Sequence, residues 1–525
     1  MSSSLSSSAS SSSPAPHPYW LLAAVCLAAI GMPLSFTGPA VALPAIHAAL
    51  GGSPVQLNWV TNAFMLSFGG TLMAAGALAD AYGRKRVFVL RLLLILLGSL
   101  FAVCAPGIVW FDLARAAQGL GAAAAFAAGT AALAQVFDGA ARTRAFSLIG
   151  TSFGAGLASG ALLAGWLGER FGWQAVMWSP ALVSLAALLI GAACMRESRN
   201  PQAMGLDVPG TLSFTGALSL LTLGVLQAPD SGWGNPWVIG ALAGAVLLGV
   251  VFVAIERRVA HPMLDLTLFR YPRFVGVQLL ASAPAYAFVV LLVLLPIRFV
   301  GLEGRDVAET GRLMLALSGP ILVVPTLAAW LAHRFSAGAI SAVGLLVCAV
   351  GLYALGRCAP GAAPRELLLP LLLIGGGIGL PWGLMDGLAV GVVPRERAGM
   401  ASGIFNTVRV AGEGIALALV GAALTALVAS RLAHLPGVSG SSAASQAAQQ
   451  VTTGGLQQAL ALLPGLDRAA VLQVYGDAFA TLLLGLAAVT VLTAVVVFAF
   501  LRGEEQAQGA QGAQGAEAAL NCPAS

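Results

Sequence analysis

The sequence predicts an all-α polytopic membrane protein with fourteen transmembrane helices. Three observations carry that fold class. The 525 residues are 58% hydrophobic and only 9% charged, where a soluble domain carries about 25% charged residues. Apolar runs recur from Trp20 almost to the C-terminus, each near the ~20 residues that cross a ~30 Å hydrocarbon core. The short alternating strands of a membrane β-barrel do not occur in the sequence.

The elements follow in order. Residues 1–18 are Ser-rich, end in PAPHP and read as a disordered tail. No Lys or Arg precedes the first apolar run and no A-x-A site follows it, so a cleaved signal peptide is not expected. The apolar spans are 19–43, 56–79, 87–105, 108–136, 144–168, 174–195, 210–228, 236–255, 274–298, 310–332, 338–357, 366–392, 400–428 and 476–501. Span 1 carries Pro33, Pro39 and Pro44, span 9 Pro284 and Pro296, span 10 Pro320 and Pro325, and span 12 Pro381. Such helix breakers are tolerated where backbone lines a cavity. The loop 431–475 is Ser-, Ala- and Gln-rich, and QQALALLPGLDRAAVLQVYGDAF within it is expected to hold a short amphipathic helix at the outer surface. A tail, 502–525, contains the low-complexity stretch GAQGAQGAEAA.

Fourteen spans put both termini on one side of the membrane. The loops opposite the termini hold seven of the 26 basic residues, Arg170, Arg305, Arg312, Arg357, Arg365, Arg431 and Arg468. Four more, Arg91, Arg115, Arg298 and Arg409, lie in or at the edges of spans, and the other fifteen lie on the termini's side. That bias places both termini in the cytoplasm, so the net charge of +5 needs no nucleic-acid partner. The six cysteines show no metal or disulfide spacing and read as small apolar fillers.

The chain also repeats itself. LADAYGRK (Leu78 to Lys85) follows span 2, and LAHRFSAG (Leu331 to Gly338) follows span 10. The repeat divides the chain into an N-terminal six-helix bundle (19–200), two inserted helices (201–260) and a C-terminal six-helix bundle (261–501). Related halves with a site at their interface are a transporter design.

Several motifs now carry a resemblance. GALADAYGRKRV, Gly76 to Val87, resembles the signature loop of the major facilitator superfamily. There Gly76 would allow close helix approach, Gly83 a tight turn, and Asp80 would accept hydrogen bonds from Arg84 or a helix N-terminus. The resemblance implies that Gly76, Asp80, Gly83, Arg84 and Lys85 latch the halves together. LARAAQGLG in span 4 is similar to the superfamily's R-x-x-q-G motif, carried by Arg115, Gln118 and Gly119. It implies a part for Arg115 in proton coupling, with Asp112 three residues earlier on the same face; a structural Arg–Asp pair is the alternative. GTSFGAGLASGALLAGWL in span 5 resembles the antiporter motif but has Ala161 where that motif has proline. Gly150, Gly154 and Gly160 are expected, with Gly119, to serve helix packing.

LNWVTNAFMLSFGG (from Leu57), LDVPG (from Leu206), SGW (from Ser231), HPMLDLTLFRYPRF (from His261) and GMASGIFNTVRVAGEG (from Gly399) resemble the fourteen-span drug–proton antiporter branch, in order, over about residues 20–430. The major facilitator fold is therefore expected.

Two departures from that branch stand out. Ser35 occupies the place of the span-1 acid, and Glu413 replaces a glycine in span 13. A charge at mid-membrane costs ~2.5–3.5 kcal/mol on insertion scales, and buried carboxylates are suited to loading and releasing protons. Glu413 is the expected proton-coupling acid, modulated by Arg409 one turn away; a static pair is the alternative. Asp386 in span 12 is a second candidate. Phe36, Asn62, Phe153, Trp382 and Asn406 are candidates to line a substrate cavity.

The expected function is proton-coupled export of small hydrophobic or amphipathic compounds by alternating access. The drive is the proton-motive force with no cofactor, because no GxxxxGK(S/T) loop occurs. No catalytic array suggests an enzyme. The expected partners are a small-molecule substrate, protons and the lipid bilayer, with no nucleic acid, and the transport unit is expected to be a monomer in the inner membrane. The rival readings are a single-metabolite exporter, a proton-coupled importer, and a transport-inactive sensor or complex partner.

Overall fold

The computed structural model describes residues 18–137, 139–199, 207–259, 262, 264, 266–392, 398–436 and 441–501. Among them every regular element is a helix. The predicted tails lie outside the described residues, apart from Pro18, which opens the first helix.

Helices α1 to α8 run Pro18–Leu50, Pro54–Tyr82, Arg84–Val103, Ile108–Val136, Gly139–Phe171, Trp173–Cys194, Val208–Ser231 and Pro236–Glu256. Then come α9 Pro272–Leu302, α10 Val307–Leu331, α11 Ala337–Gly356, α12 Pro364–Gly391 and α13 Ala398–Ala433. Two short helices, α14 Ser441–Thr452 and α15 Leu456–Leu462, precede α16, Arg468–Leu501. Twelve of these are long and apolar enough to cross a membrane, and the bent α5 makes a thirteenth. The remaining predicted span, 56–79, lies within the 29-residue α2, which packs along α4. The chain is a multi-pass membrane protein. Its outward side chains are apolar, as Val246 and Leu247 on α8 and Leu492 on α16 show, and hydrocarbon in place of water suits them.

Local chemistry sets the boundaries. Ser53 and Gln56 form a reciprocal capping box ahead of Pro54, which starts α2. Gly83 alone separates α2 from α3, at φ +108°, a conformation that favours glycine. Helix α5 bends by 44° between Leu157 and Leu162, across Ser159 and Gly160, a pair that weakens helices. In α9, Pro284 and Pro296 are each followed by a π turn, Ala285–Val289 and Ile297–Leu302. The wider turn accommodates the ring and the missing N–H. Helix α10 is divided at Gly319–Pro320 for the same reason.

In the first half α1 packs on α5 and α6, α2 on α4, and α3 on α4 and α6; in the second, α11 packs on α12 and α16, and α10 on α12. The halves meet along two seams, α2 with α13 and α5 with α10. At the first, a Cβ on Gly69 would stand 2.6 Å from the Cα of Ala411; at the second, one on Gly154 would stand 2.9 Å from Ile321 Cγ2. Helices α7 and α8 pair with each other, and α7 lies against both α2 and α13.

The segment 431–475 differs from expectation. Helix α16 begins at Arg468, so the stretch RAAVLQVYGDAF belongs to it. The α14 side chains Ala444, Ala447, Ala448 and Val451 are buried, and Thr452 Oγ1 lies 3.0 Å from Thr425 Oγ1 on α13. The short helix of the quoted stretch is α15, which buries Leu456 and Ala459 and exposes Leu462.

Candidate functional site

Two buried arginines organise the interior. The first, Arg115 on α4, is 1% exposed. Its Nε donates to Val60 O on α2 at 2.9 Å, its Nη1 to Gln118 Oε1, and its Nη2 to Ser35 O on α1. Pro39 lies four residues after Ser35 and has no N–H, so the Ser35 carbonyl lacks its helical donor and Arg115 supplies one. Gln118 Nε2 donates to Ser99 Oγ at 2.9 Å, which carries the network to α3. The guanidinium also sits 4.8 Å from the centroid of the Phe64 ring. Gly119 lets α4 approach α2 at Ser67 Oγ and Phe64 O, leaving no room for a Cβ.

Asp112 takes no part in this nest. Its Oδ1 is buried with no hydrogen-bond partner, and among the described residues it forms no ion pair with Arg115. The alternative of a structural Arg–Asp ion pair does not match this geometry: Arg115 spends its donors on carbonyl and amide oxygens. Asp112 instead lines a groove between α2, α4 and α7.

The second arginine, Arg409 on α13, is 6% exposed. Its Nη2 donates to Asn406 Oδ1 at 3.0 Å. Its guanidinium carbon stands 5.7, 5.9 and 5.6 Å from the ring centroids of Phe153, Trp382 and Phe405. Phe153 comes from α5 in the first half and stacks on Trp382 of α12 in the second, at 6.2 Å. The halves thus build one aromatic box around one cation, each ring contributing about 0.5–2 kcal/mol of attraction.

Glu413, one turn along α13, is 2% exposed, and its Oε1 has no hydrogen-bond partner. Among the described residues no ion pair joins it to Arg409, so the alternative of a static Arg409–Glu413 bridge does not match this geometry. The glutamate lies where α13 presses on α2: a Cβ on Gly414 would meet Met65 Cβ at 3.4 Å.

Of the other expected cavity residues, Phe36 and Asn62 are buried on α1 and α2. Asn62 Nδ2 donates to Asn58 O while its Oδ1 has no partner. The side chains of Asp386 and Asp80 lie outside the described residues. At the expected latch, Glu197, at the end of the chain segment after α6, accepts from Lys85 N and Arg86 N at 3.2 Å each and pairs with Arg86 Nε at 3.6 Å. Arg84 N donates to Ser198 O. Glu197 therefore caps α3, a favourable place for a carboxylate. Among the described residues a Cβ on Gly76 or Gly150 would meet nothing within 4 Å. Gly154 and Gly160 do face neighbours, Ile321 and Thr37.

Sequence reasoning also missed a cluster at the junction of α9 and α10. Arg298 Nε reaches Glu303 Oε1 at 2.8 Å, Arg305 Nε reaches Glu303 Oε2 at 2.6 Å, and Arg305 Nη1 reaches Glu309 at 2.9 Å. Arg298 also donates to the carbonyls of Cys358 and Ala359. Burial works against the Arg305 charge, but Glu303 and Glu309 outweigh it and hold its pKa above the ordinary value. The E-x-R spacing of Glu303 and Arg305 was the available signal. Gln278 on α9 is buried with neither amide atom partnered; its sequence context, a polar residue in an apolar run, could have marked it.

A family model described as Major Facilitator Superfamily matches residues 23–417. A puromycin resistance protein of Streptomyces alboniger is 34% identical over 426 residues, 80% of this chain and 84% of the relative. A multidrug resistance protein of Mycobacterium tuberculosis is 31% identical over 394 residues, 75% and 73% of the two chains. A cephamycin export protein of Amycolatopsis lactamdurans is 34% identical over 400 residues, 72% and 79%. Among solved structures, a human organic anion transporter superposes with a TM-score of 0.57 at 17% identity, over 85% of this chain and all of the other. A POT family transporter superposes with a TM-score of 0.59 at 13% identity, over 93% and 99%. At those identities the likeness concerns the fold.

Proposed function

We propose, for a chain that belongs to the major facilitator superfamily, that it exports small hydrophobic or amphipathic compounds in exchange for protons. Its relatives are described as resistance and export proteins, which supports efflux over uptake and transport over catalysis. The drive is the proton-motive force, the setting is the inner membrane with both termini in the cytoplasm, and the transport unit is a monomer.

One observation carries the coupling scheme: Glu413 is buried at the seam between the halves with an oxygen left unpartnered, one turn from an arginine held by rings of both halves. An unpartnered buried charge is costly, and a bound proton removes that cost. When the halves rock apart, Phe153 leaves the box and Arg409 loses part of its cation–π attraction. The guanidinium then turns to Glu413, and the proton leaves. Substrate rings take the place of Phe153 against Trp382 and Phe405. Arg115, tied to three helices of the first half, keeps that half rigid while it moves.

Everted vesicles with an interior pH reporter test this. Energised wild-type vesicles release protons when an amphipathic compound is added; Glu413→Gln at equal expression does not. A Glu413→Gln response equal to wild type would remove the glutamate from the coupling path.

A further inference from the structure

A groove of about 350 Å³ runs between α2, α4 and α7, within the roughly 300–1,000 Å³ of small-molecule sites. Its rim residues Leu113 and Leu120 are 55% and 41% exposed, so it opens to the hydrocarbon rather than to the seam between the halves. Asp112 stands in this apolar wall with Oδ1 buried and unpartnered.

The hydroxyls around it decide what could bind. Ser67 donates to Ala63 O at 2.7 Å, Thr71 to Ser67 O at 2.6 Å, Thr215 to Gly70 O at 2.8 Å and Ser219 to Thr215 O at 2.8 Å. Each hydroxyl has one proton, and all four are committed to backbone carbonyls. The groove therefore offers a carboxylate and no free hydroxyl donor. Arg115 is turned the other way, onto Val60 O and Ser35 O. An anion or a neutral acceptor would find no hydroxyl donor there, whereas a monocation would supply the partner that Asp112 Oδ1 lacks. A cation would meet Asp112, in a groove that Trp59 also lines.

We propose that this groove is a hydrocarbon-side binding site for lipophilic monocations, with Asp112 as counter-charge. The inserted pair acquires a role in it: α7 forms one wall, and the Thr215–Gly70 hydrogen bond holds that wall to α2. A cation dissolved in the bilayer reaches the protein laterally and is concentrated beside the first half. The proposal goes beyond the export reading and uses it only to say what the bound cation is for.

The test is equilibrium binding to the purified full chain in phosphatidylcholine nanodiscs, with no gradient, using radiolabelled tetraphenylphosphonium. Tetraphenylborate, of like shape and opposite charge, is the competitor. Wild type binds the cation saturably and the borate does not compete. Asp112→Asn weakens binding about tenfold or more, the loss of one desolvated charge contact; Asp112→Glu retains most of it. Ala116→Phe fills the groove and weakens binding as well, and it decides the matter if Asp112→Asn does not yield monodisperse protein. Unchanged affinity in Asp112→Asn, or equal competition by the borate, overturns the site. Binding lost in Glu413→Gln but kept in Asp112→Asn places the cation at the seam and also overturns it. A chain that binds the cation through Asp112 yet moves no proton in vesicles would sink the export reading and leave this one standing.

Discussion

Each half of the molecule buries an arginine with an acid one turn away, and in neither does the arginine pair with that acid. Arg115 is held by oxygens: two backbone carbonyls and an amide, on α1, α2 and its own helix. Arg409 donates to Asn406 Oδ1 and stands against three rings, one of them from the opposite half. Hydrogen bonds to carbonyls are directional and fix a geometry. Cation–π attraction is broader in angle and weaker, and here it depends on the halves staying together. The first arginine suits a fixed strut, the second a moving part. A third cation, Arg298, shows what a true ion pair looks like in this fold: Glu303 bridges it to Arg305.

The sharpest test of the contrast is thermal unfolding of purified variants. Glu303→Gln should cost the most, about 3–5 kcal/mol, because it leaves the buried Arg298 guanidinium without its anion and Arg305 with Glu309 alone. A loss no larger than that of any Arg409 variant would undo the ranking. Arg115→Lys should come next. An ammonium cannot span three acceptors in a planar fork, and each acceptor left unmet costs about 1–3 kcal/mol. A melting temperature equal to wild type would mean that water or another donor replaces the fork.

Arg409→Lys should cost about 0.5–2 kcal/mol at most, since a lysine still offers a cation to the rings. Its larger effect should appear in vesicles, as a changed number of protons released per compound moved. If stability falls as far as in Arg115→Lys, the aromatic box is a strut as well. The smallest effects belong to the acids. Asp112→Asn and Glu413→Gln should leave the melting temperature unchanged or raise it, because each replaces an ionisable group that has one buried, unpartnered oxygen by a group that cannot ionise. A fall of several degrees in either would reveal a partner that the geometry does not give it.

Much of the Arg115 nest was legible. The R-x-x-q-G pattern names Arg115, Gln118 and Gly119, and Pro39 marks Ser35 O as a carbonyl in need of a donor. The Arg409 box was half legible. Phe153, Trp382 and Asn406 were picked out as cavity residues, but nothing in the spacing said that they meet around Arg409 or that Phe405 joins them. The i,i+3 and i,i+4 spacings suggested pairs in both halves. Spacing puts two side chains on one face of a helix; which way each turns depends on the acceptors and rings that neighbouring helices present. Glu197 could not be read as the cap of α3, because it approaches Lys85 from more than a hundred residues away.

The sequence by itself determined the helices, their order and the family. Hydrocarbon tolerates only backbone that satisfies its own hydrogen bonds, so hydropathy alone fixes where chain must be helical. Tertiary structure decided what each buried charge does. In a low-dielectric interior the cost of a charge is met by whichever acceptor or ring stands nearest, and nearness across helices is not written in any one of them. That is why Arg115 turns to carbonyls freed by proline, Arg409 to the rings of the opposite half, and Asp112 to a groove in the membrane face.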